Sequence, residues 1–258
     1  MNNLRISLLQ AALHWEQKQA NLDAFAARIE PLAGKTDLIL LPEMFNTGFS
    51  MSAASLAEPM DGPTMSWLSR QAARAGAAVA GSFIAEENGS FFNRLVFMRP
   101  DGRFYAYDKR HLFTLAGEHE PFTAGENRTI VEWKGWRILP QICYDLRFPV
   151  WSRNTDDYDL AFYVANWPDR RSHHWRTLLT ARAIENQVYT LGLNIVGKDG
   201  NGLDYAGDSA VTDYSGQTLT RVSHLEETIQ ATLDYDQQQA YRKRLAFLAD
   251  QDEFVINV

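Results

Sequence analysis

Three short, mainly apolar runs in this chain each stop at a polar residue: residues 38–42 before Glu43, 138–142 before Cys143, and 160–165 before Asn166. A half-buried strand alternates apolar and polar side chains, because successive side chains point to opposite faces. Residues 38–42 do not alternate, and 77–85 are apolar nearly throughout. Such strands are buried on both faces, so the sheet that holds them needs a cover on each side. This confines the chain to a layered α/β architecture. In α/β sheets, sites form outside the carboxyl ends of the strands, which brings the three terminating residues forward as candidates.

The rest of the pattern supplies the layers. Residues 4–10 read as a first strand. Residues 16–33 carry Leu22, Phe25, Ile29 and Leu32 at helical spacing, and 64–75 form a second helix with Trp67, Leu68 and Ala72 inward. Pro100-Asp-Gly102 joins strands 93–99 and 104–109, and Lys134-Gly135 joins 130–133 and 136–143, both as hairpins. Residues 110–128 are irregular and long enough for a functional loop. A short helix is expected after Cys143, with Pro149 in its first turn and residues 152–154 closing it. A helix over 173–186, a strand over 189–196, a glycine-rich loop from Gly197 to Gly207, strands over 209–213, 218–222 and 228–233, and a helix over 237–248 with Tyr241, Leu245 and Leu248 on one face complete the chain. Consecutive hairpins interrupt the βαβ rhythm, which favours mixed sheets covered by helices over a doubly wound fold. No linker or repeat appears, so residues 1–258 read as one domain, with a terminal helix and tail from about 236.

Composition narrows the partners. The net charge is −7 with lysine and arginine scattered, which speaks against nucleic acid and anionic membranes. No apolar stretch approaches the roughly 20 residues that span a bilayer. One cysteine cannot form an internal disulfide, and no Cys/His spacing of the structural zinc type occurs. With no basic segment leading into an apolar one, a reducing cytoplasm is the default location.

Two readings fit Cys143. At a strand end facing a helix N-terminus, its pKa is lowered and thiolate is favoured; alternatively it is a small buried core residue. Strand 104–108 ends in Lys109, so if the strand ends share one rim, a carboxylate (Glu43), an ammonium and a thiol meet there. A glutamate serves as general base for a thiol, and a lysine stabilises a developing oxyanion. Taken singly, Glu43 also reads as a surface loop carboxylate and Lys109 as part of a solvated charged turn.

Leu41-Pro-Glu-Met-Phe45, Tyr107-Asp-Lys-Arg-His-Leu-Phe113 and Gln141-Ile-Cys-Tyr-Asp-Leu-Arg-Phe-Pro149, with Ala181-Arg-Ala-Ile-Glu-Asn-Gln187 and Gly207-Asp-Ser209, resemble the nitrilase (carbon–nitrogen hydrolase) superfamily and its ω-amidase branch. The resemblance runs from Arg5 to about Leu233. It implies a four-layer α-β-β-α sandwich with two mixed sheets that pairs into homodimers. It further implies Cys143 as nucleophile, Glu43 as general base and Lys109 as stabiliser of the tetrahedral intermediate, with the Tyr144 backbone N–H completing the oxyanion hole. No metal or organic cofactor enters this chemistry. A second glutamate, common between the lysine and cysteine motifs, matches Glu118 by its spacing to Gly125; Glu120 reads as part of a solvated acidic loop.

The residues after the cysteine resemble the amidase type rather than nitrile-specific members, which carry Trp-Glu there. Arg147, four residues on, suits a substrate carboxylate bidentately, or else pairs with an acid such as Asp145. Trp167 resembles an aromatic lid, or is a core contact. Phe45, Trp167 and loop 112–122 are expected to make a narrow pocket for a short acidic chain. The small-molecule amide implied first is the terminal amide of a 2-oxo acid such as 2-oxoglutaramate, with the amidase of deaminated glutathione as the alternative. A non-catalytic scaffold and acyl transfer to an amine are the readings from other classes. Val150-Trp151 depart from the Pro-Glu usual after Arg-Phe. Arg182 and Glu185 read as a structural ion pair, and His174 as a partly buried, satisfied histidine beside Trp175.

Overall fold

Leu38–Leu40, the heart of the first apolar run, is hydrogen-bonded in parallel to a strand on each side, Leu4–Gln10 and Ala78–Glu87. Its side chains alternate between two apolar layers rather than between core and water, which is why the run needs no polar residue. The computed structural model describes residues 3–256. In chain order these are β1 (Leu4–Gln10), α1 (Lys18–Ile29), β2 (Leu38–Leu40), α2 (Ala53–Leu56), α3 (Pro63–Ala75), β3 (Ala78–Glu87), β4 (Ser90–Met98) and β5 (Phe104–Asp108). Then follow β6 (Val131–Trp133), β7 (Trp136–Ile142), β8 (Leu160–Ala165), α4 (Ser172–Asn186), β9 (Tyr189–Asn194), β10 (Val196–Lys198), β11 (Asp204–Thr212), β12 (Thr218–Ser223), β13 (Glu227–Leu233) and α5 (Tyr235–Arg244).

The strands form two mixed sheets, β13-β1-β2-β3-β4-β5 and β10-β11-β9-β8-β7-β6, with β12 paired to β11. Leu4, Ile6, Leu8, Leu38 and Leu40 of the first sheet share a core with Leu139, Phe162 and Val164 of the second. Ile39, Leu41 and Val79 face the other way, against Phe25 and Ile29 of α1 and Leu68 and Ala72 of α3. Helix α4 covers the outer face of the second sheet, where Trp175 and Leu179 approach β9 so closely that a Cβ at Gly192 would lie 2.3 Å from Leu179. The layers are therefore α-β-β-α, as the apolar runs require.

Several local expectations change. The predicted helix containing Pro149 does not form. Cys143–Arg147 makes a 3₁₀ helix instead, and Pro149 lies beyond it. The Gly197-to-Gly207 loop is largely a hairpin, with Val196–Lys198 paired to residues 204–206. The terminal helix spans Tyr235–Arg244 and a separate 3₁₀ turn covers Phe247–Asp250. It is tied down by polar contacts, Gln238 donating to the Asp159 carbonyl at 2.7 Å and Arg242 to the Gln187 carbonyl at 2.9 Å, while Tyr241 packs on Tyr214. Unread in the sequence was the Asn88-Gly89 turn, whose positive φ values of 54° and 78° close the β3–β4 hairpin.

Candidate active site

The strand ends do meet, across the two sheets rather than along one rim. Glu43 follows β2 and Lys109 follows β5 in the first sheet; Cys143 follows β7 and Asn166 follows β8 in the second. Both Glu43 and Lys109 have fully buried side chains. Lys109 Nζ donates to Glu43 Oε1 at 2.8 Å and to the two oxygens of Glu118 at 3.0 and 2.9 Å. Asn93, inside β4, donates from Nδ2 to the same Glu43 oxygen at 2.9 Å and to Glu118 Oε1 at 3.1 Å. The backbone N–H of Asn166 reaches Glu43 Oε2 at 2.8 Å. Every charge is thus paired and hydrogen-bonded, the condition under which charges tolerate burial.

Local geometry holds these groups in place. Lys109 is clamped through its own backbone, its N–H bonding the Asn93 carbonyl at 3.0 Å and its carbonyl accepting from Gly125 at 2.9 Å. A Cβ at Gly125 would sit 2.2 Å from the Asp108 carbonyl oxygen, so only glycine lets the loop return there. Cys143 has φ of 44° and Met44 of 45°. Left-handed backbone at non-glycine residues costs about 1–3 kcal/mol each and persists only where surroundings enforce it. The enforcer at Cys143 is Asp145, whose Oδ2 accepts from the Ile142 N–H at 3.0 Å and from the Tyr107 hydroxyl at 2.8 Å, and whose Oδ1 accepts from the His111 N–H at 3.0 Å. Asp145 therefore ties the cysteine turn to the lysine loop, and it does not pair with Arg147. Arg182, besides its ion pair with Glu185 at 2.9 Å, donates to the Leu146 carbonyl at 2.6 Å and so caps the same turn.

Electrostatics overturn the expected thiolate. Burial pushes the Cys143 thiol well above its ordinary value, Glu43 pushes the same way, and Lys109 offsets only part. Five residues of 3₁₀ helix supply too little dipole to reverse this. The carboxylate of Glu43, which helps to raise the thiol, is also the base beside it for proton removal during attack. For Lys109, burial alone lowers the pKa, but Glu118 and Glu43 outweigh it and hold the ammonium above the ordinary lysine value. Burial raises Glu118, and Lys109 opposes that.

Cys143, 9 % exposed, lies at a pocket of about 410 Å³ lined also by Phe49, Phe113, Tyr144, Arg147, Trp167 and Arg171. The guanidinium of Arg147 lies 4.6 Å from the Trp167 ring centroid and 3.1 Å from His174 Nδ1. Trp167 is itself anchored, its N–H on Asn194 Oδ1 at 2.7 Å and Nε1 on the Arg171 carbonyl at 2.9 Å. Of the acids in the 117–122 loop, Glu118 reaches Lys109 whereas Glu120 is exposed. Phe45 is absent from the pocket. The left-handed turn at Met44 sends it outward against Phe25 and Trp67, and Phe49 and Met51 take its place. His174 is exposed, not partly buried. The sequence reading did not assign Asn93 or Arg171 any part here; a polar residue within the apolar strand β4 was the one available signal for Asn93.

A model of the carbon–nitrogen hydrolase family matches residues 5–243. An omega-amidase, YafV, of Yersinia enterocolitica is 48% identical over 99% of this chain and 100% of its own length. A 2-oxoglutaramate amidase of Bacillus subtilis is 31% identical over 95% of this chain and 96% of its own. Among solved structures, a CN-hydrolase superfamily protein of Xanthomonas campestris with an arsenic adduct in its active site superposes with a TM-score of 0.98, 48% identity and full coverage of both chains.

Proposed function

This chain belongs to the carbon–nitrogen hydrolase family and is an amidohydrolase; we propose that it releases ammonia from the terminal amide of a small 2-oxo dicarboxylic acid monoamide, 2-oxoglutaramate being the type, through a Cys143 thioester. The observation that carries this reading is the fully buried Glu43–Lys109 pair, 2.8 Å apart, beneath Cys143 at a pocket lined by arginines.

Attack of sulfur on the amide carbon forms the S–C bond while the thiol proton passes to Glu43. Charge develops on the carbonyl oxygen, which faces Lys109 Nζ and the Tyr144 N–H. The neighbouring acids keep Lys109 protonated, so it acts as a fixed cation rather than as a proton donor. Glu43 returns its proton to the departing nitrogen, the C–N bond breaks and ammonia leaves. Water, deprotonated by Glu43, then attacks the thioester; collapse releases the carboxylic acid and restores the thiol. Glu118, bonded to Lys109 through both oxygens, holds the ammonium beside Glu43, and Arg147, stacked on Trp167, receives the substrate carboxylate. This chemistry calls for no metal or organic cofactor.

The same reading gives the protein a small amide as substrate, a second copy of itself as partner, no nucleic acid or membrane, and a cytoplasmic location; among the described residues no helix is long and apolar enough to cross a membrane. Light scattering of the purified chain tests the homodimer. Comparing kcat/KM for 2-oxoglutaramate and deaminated glutathione tests the substrate: the first is expected to be preferred, and a reversed preference overturns the assignment.

A further inference from the structure

Three arginines line the pocket, and among the described residues none of them has a carboxylate partner. Arg147, Arg170 and Arg171 all border the cavity above Cys143, whereas most other arginines of the chain, Arg94, Arg128 and Arg182 among them, are ion-paired. Arg147 has the Trp167 ring and His174. Arg171 has only the Phe113 ring, 5.2 Å from its guanidinium carbon, and its side chain makes no hydrogen bond among the described residues. The one acid that lines the pocket among the described residues, Asp199, does not serve them. Its Oδ1 accepts from the backbone N–H groups of Asn201 and Leu203, and its Oδ2 from the Tyr205 hydroxyl, all at 2.9 Å. That carboxylate is spent on shaping the β10–β11 hairpin.

A half-buried guanidinium with five unused donors beside two like charges is costly unless something anionic completes it. Burial and Arg170 both disfavour its charge, with Arg147 adding to them, while proximity to the cysteine runs the other way. From this unpaired cation at the pocket wall we propose that Arg171 is a specificity-determining residue: with Arg147, it receives the anionic end of the substrate, while exposed Arg170 at the rim attracts that anion from solution. Two planar forks on one carboxylate, or on a carboxylate and its adjacent 2-oxo group, select acids over neutral amides. Phe113 carries the Arg171 guanidinium on its face and Trp167 that of Arg147, so both are preorganised before substrate arrives. The inference rests on the amidase reading of this pocket but goes beyond it in assigning Arg171.

The test is the ratio of kcat/KM for 2-oxoglutaramate to that for a neutral linear amide of five carbons, in the parent, Arg171→Met and Arg171→Lys. A hydrogen-bonded arginine–carboxylate contact contributes enough that its loss is expected to lower this ratio on the order of tenfold to a hundredfold in Arg171→Met. The loss should appear mainly in KM, and Arg171→Lys should recover part of the ratio. An unchanged ratio, or an equal fall for both amides, overturns the proposal in favour of a structural role. Calorimetry of 2-oxoglutarate binding to Cys143→Ala, with and without Arg171→Met, separates the two readings. If the parent fails to hydrolyse 2-oxoglutaramate yet the anion binds and Arg171→Met weakens it, the substrate assignment falls and the role of Arg171 stands. If Cys143→Ala binds no anion, the role of Arg171 falls.

Discussion

The buried cluster of Glu43, Lys109, Glu118 and Asn93 and the arginine-lined mouth of the same pocket treat charge in opposite ways. In the cluster, the ammonium has two carboxylates and each carboxylate has several N–H donors, at 2.8 to 3.1 Å, with the charged side chains shut from water. At the mouth, three guanidiniums stand half-buried or exposed with no acid paired to them among the described residues. A closed network is rigid and preorganised, so it can stabilise charge that develops only in the transition state without reorganising. An open set of cations is incomplete until a substrate supplies the counter-charge. The difference assigns rate to the interior and selection to the rim: changes inside should lower kcat, and changes at the rim should raise KM.

The deepest break in that division comes from the nucleophile. Cys143→Ala is expected to lower ammonia release by roughly 10⁴-fold or more, while circular dichroism and thermal unfolding stay near the parent, since the substitution removes one small side chain. Turnover at the parental rate would sink the thioester mechanism. The same pair of proteins tests the ionisation state. Because burial first, and Glu43 with it, raises the thiol pKa, the thiol form dominates at neutral pH and deprotonates only as pH rises. The ultraviolet absorbance of a thiolate, taken as parent minus Cys143→Ala, should therefore be missing at pH 7 and grow in alkaline solution. A signal already complete at pH 7 would show that Lys109 outweighs burial.

Next in size is the second glutamate. Glu118→Gln swaps an acceptor of the Lys109 ammonium for an amide that turns a donor toward Lys109, Asn93 or the Phe113 N–H. A fall in kcat of about a hundredfold is expected, with KM little changed and stability lower by about 1–3 kcal/mol. Glu120→Gln, at an exposed position, should leave both constants within about twofold. The reverse order would move the closed network to the wrong acid.

Much of the interior was legible from the sequence because strand burial and strand ends are periodic signals. Runs such as 38–42 announced a doubly covered sheet, and the residues that ended the runs were the polar ones worth questioning. What the sequence could not carry was the meeting of Glu43 and Lys109 with Cys143 from opposite sheets, which depends on how two layers face each other. The expected helix after Cys143 failed because Asp145 turns back onto the Ile142 N–H and closes a tighter turn first. Phe45 was expected in the pocket with Trp167, and one positive φ at Met44 turns it away. Asn93 escaped because it acts on other side chains rather than on substrate. The role of Asp145, read only as a possible partner of Arg147, escaped because it holds backbone N–H groups and the Tyr107 hydroxyl. The rim was less legible still. Arg171 sits in a run of charge, Asp169-Arg-Arg171, and a charge run ordinarily marks a solvated surface. Only the absence of an acid across from it, visible once the β10–β11 hairpin has claimed Asp199, distinguishes it.

The smallest predicted change separates charge from shape at the rim. Arg147→Lys keeps the positive charge but loses the planar fork that stacks on Trp167 and meets a carboxylate with two parallel bonds. If Arg147 contributed charge alone, lysine would serve nearly as well, because a half-exposed ion pair is worth little in either case. If the stacked fork matters, KM for 2-oxoglutaramate should rise by about three- to tenfold with kcat held, an effect of roughly 0.7–1.4 kcal/mol. The residue most exposed to collateral change is His174, whose Nδ1 lies 3.1 Å from the guanidinium. His174→Ala is therefore the control. It removes the side contact but leaves fork and stacking in place, and should shift KM less than Arg147→Lys does. A kcat loss in Arg147→Lys comparable to that of Glu118→Gln would mean that the rim reaches into the chemistry, and the separation of rate from selection would not hold.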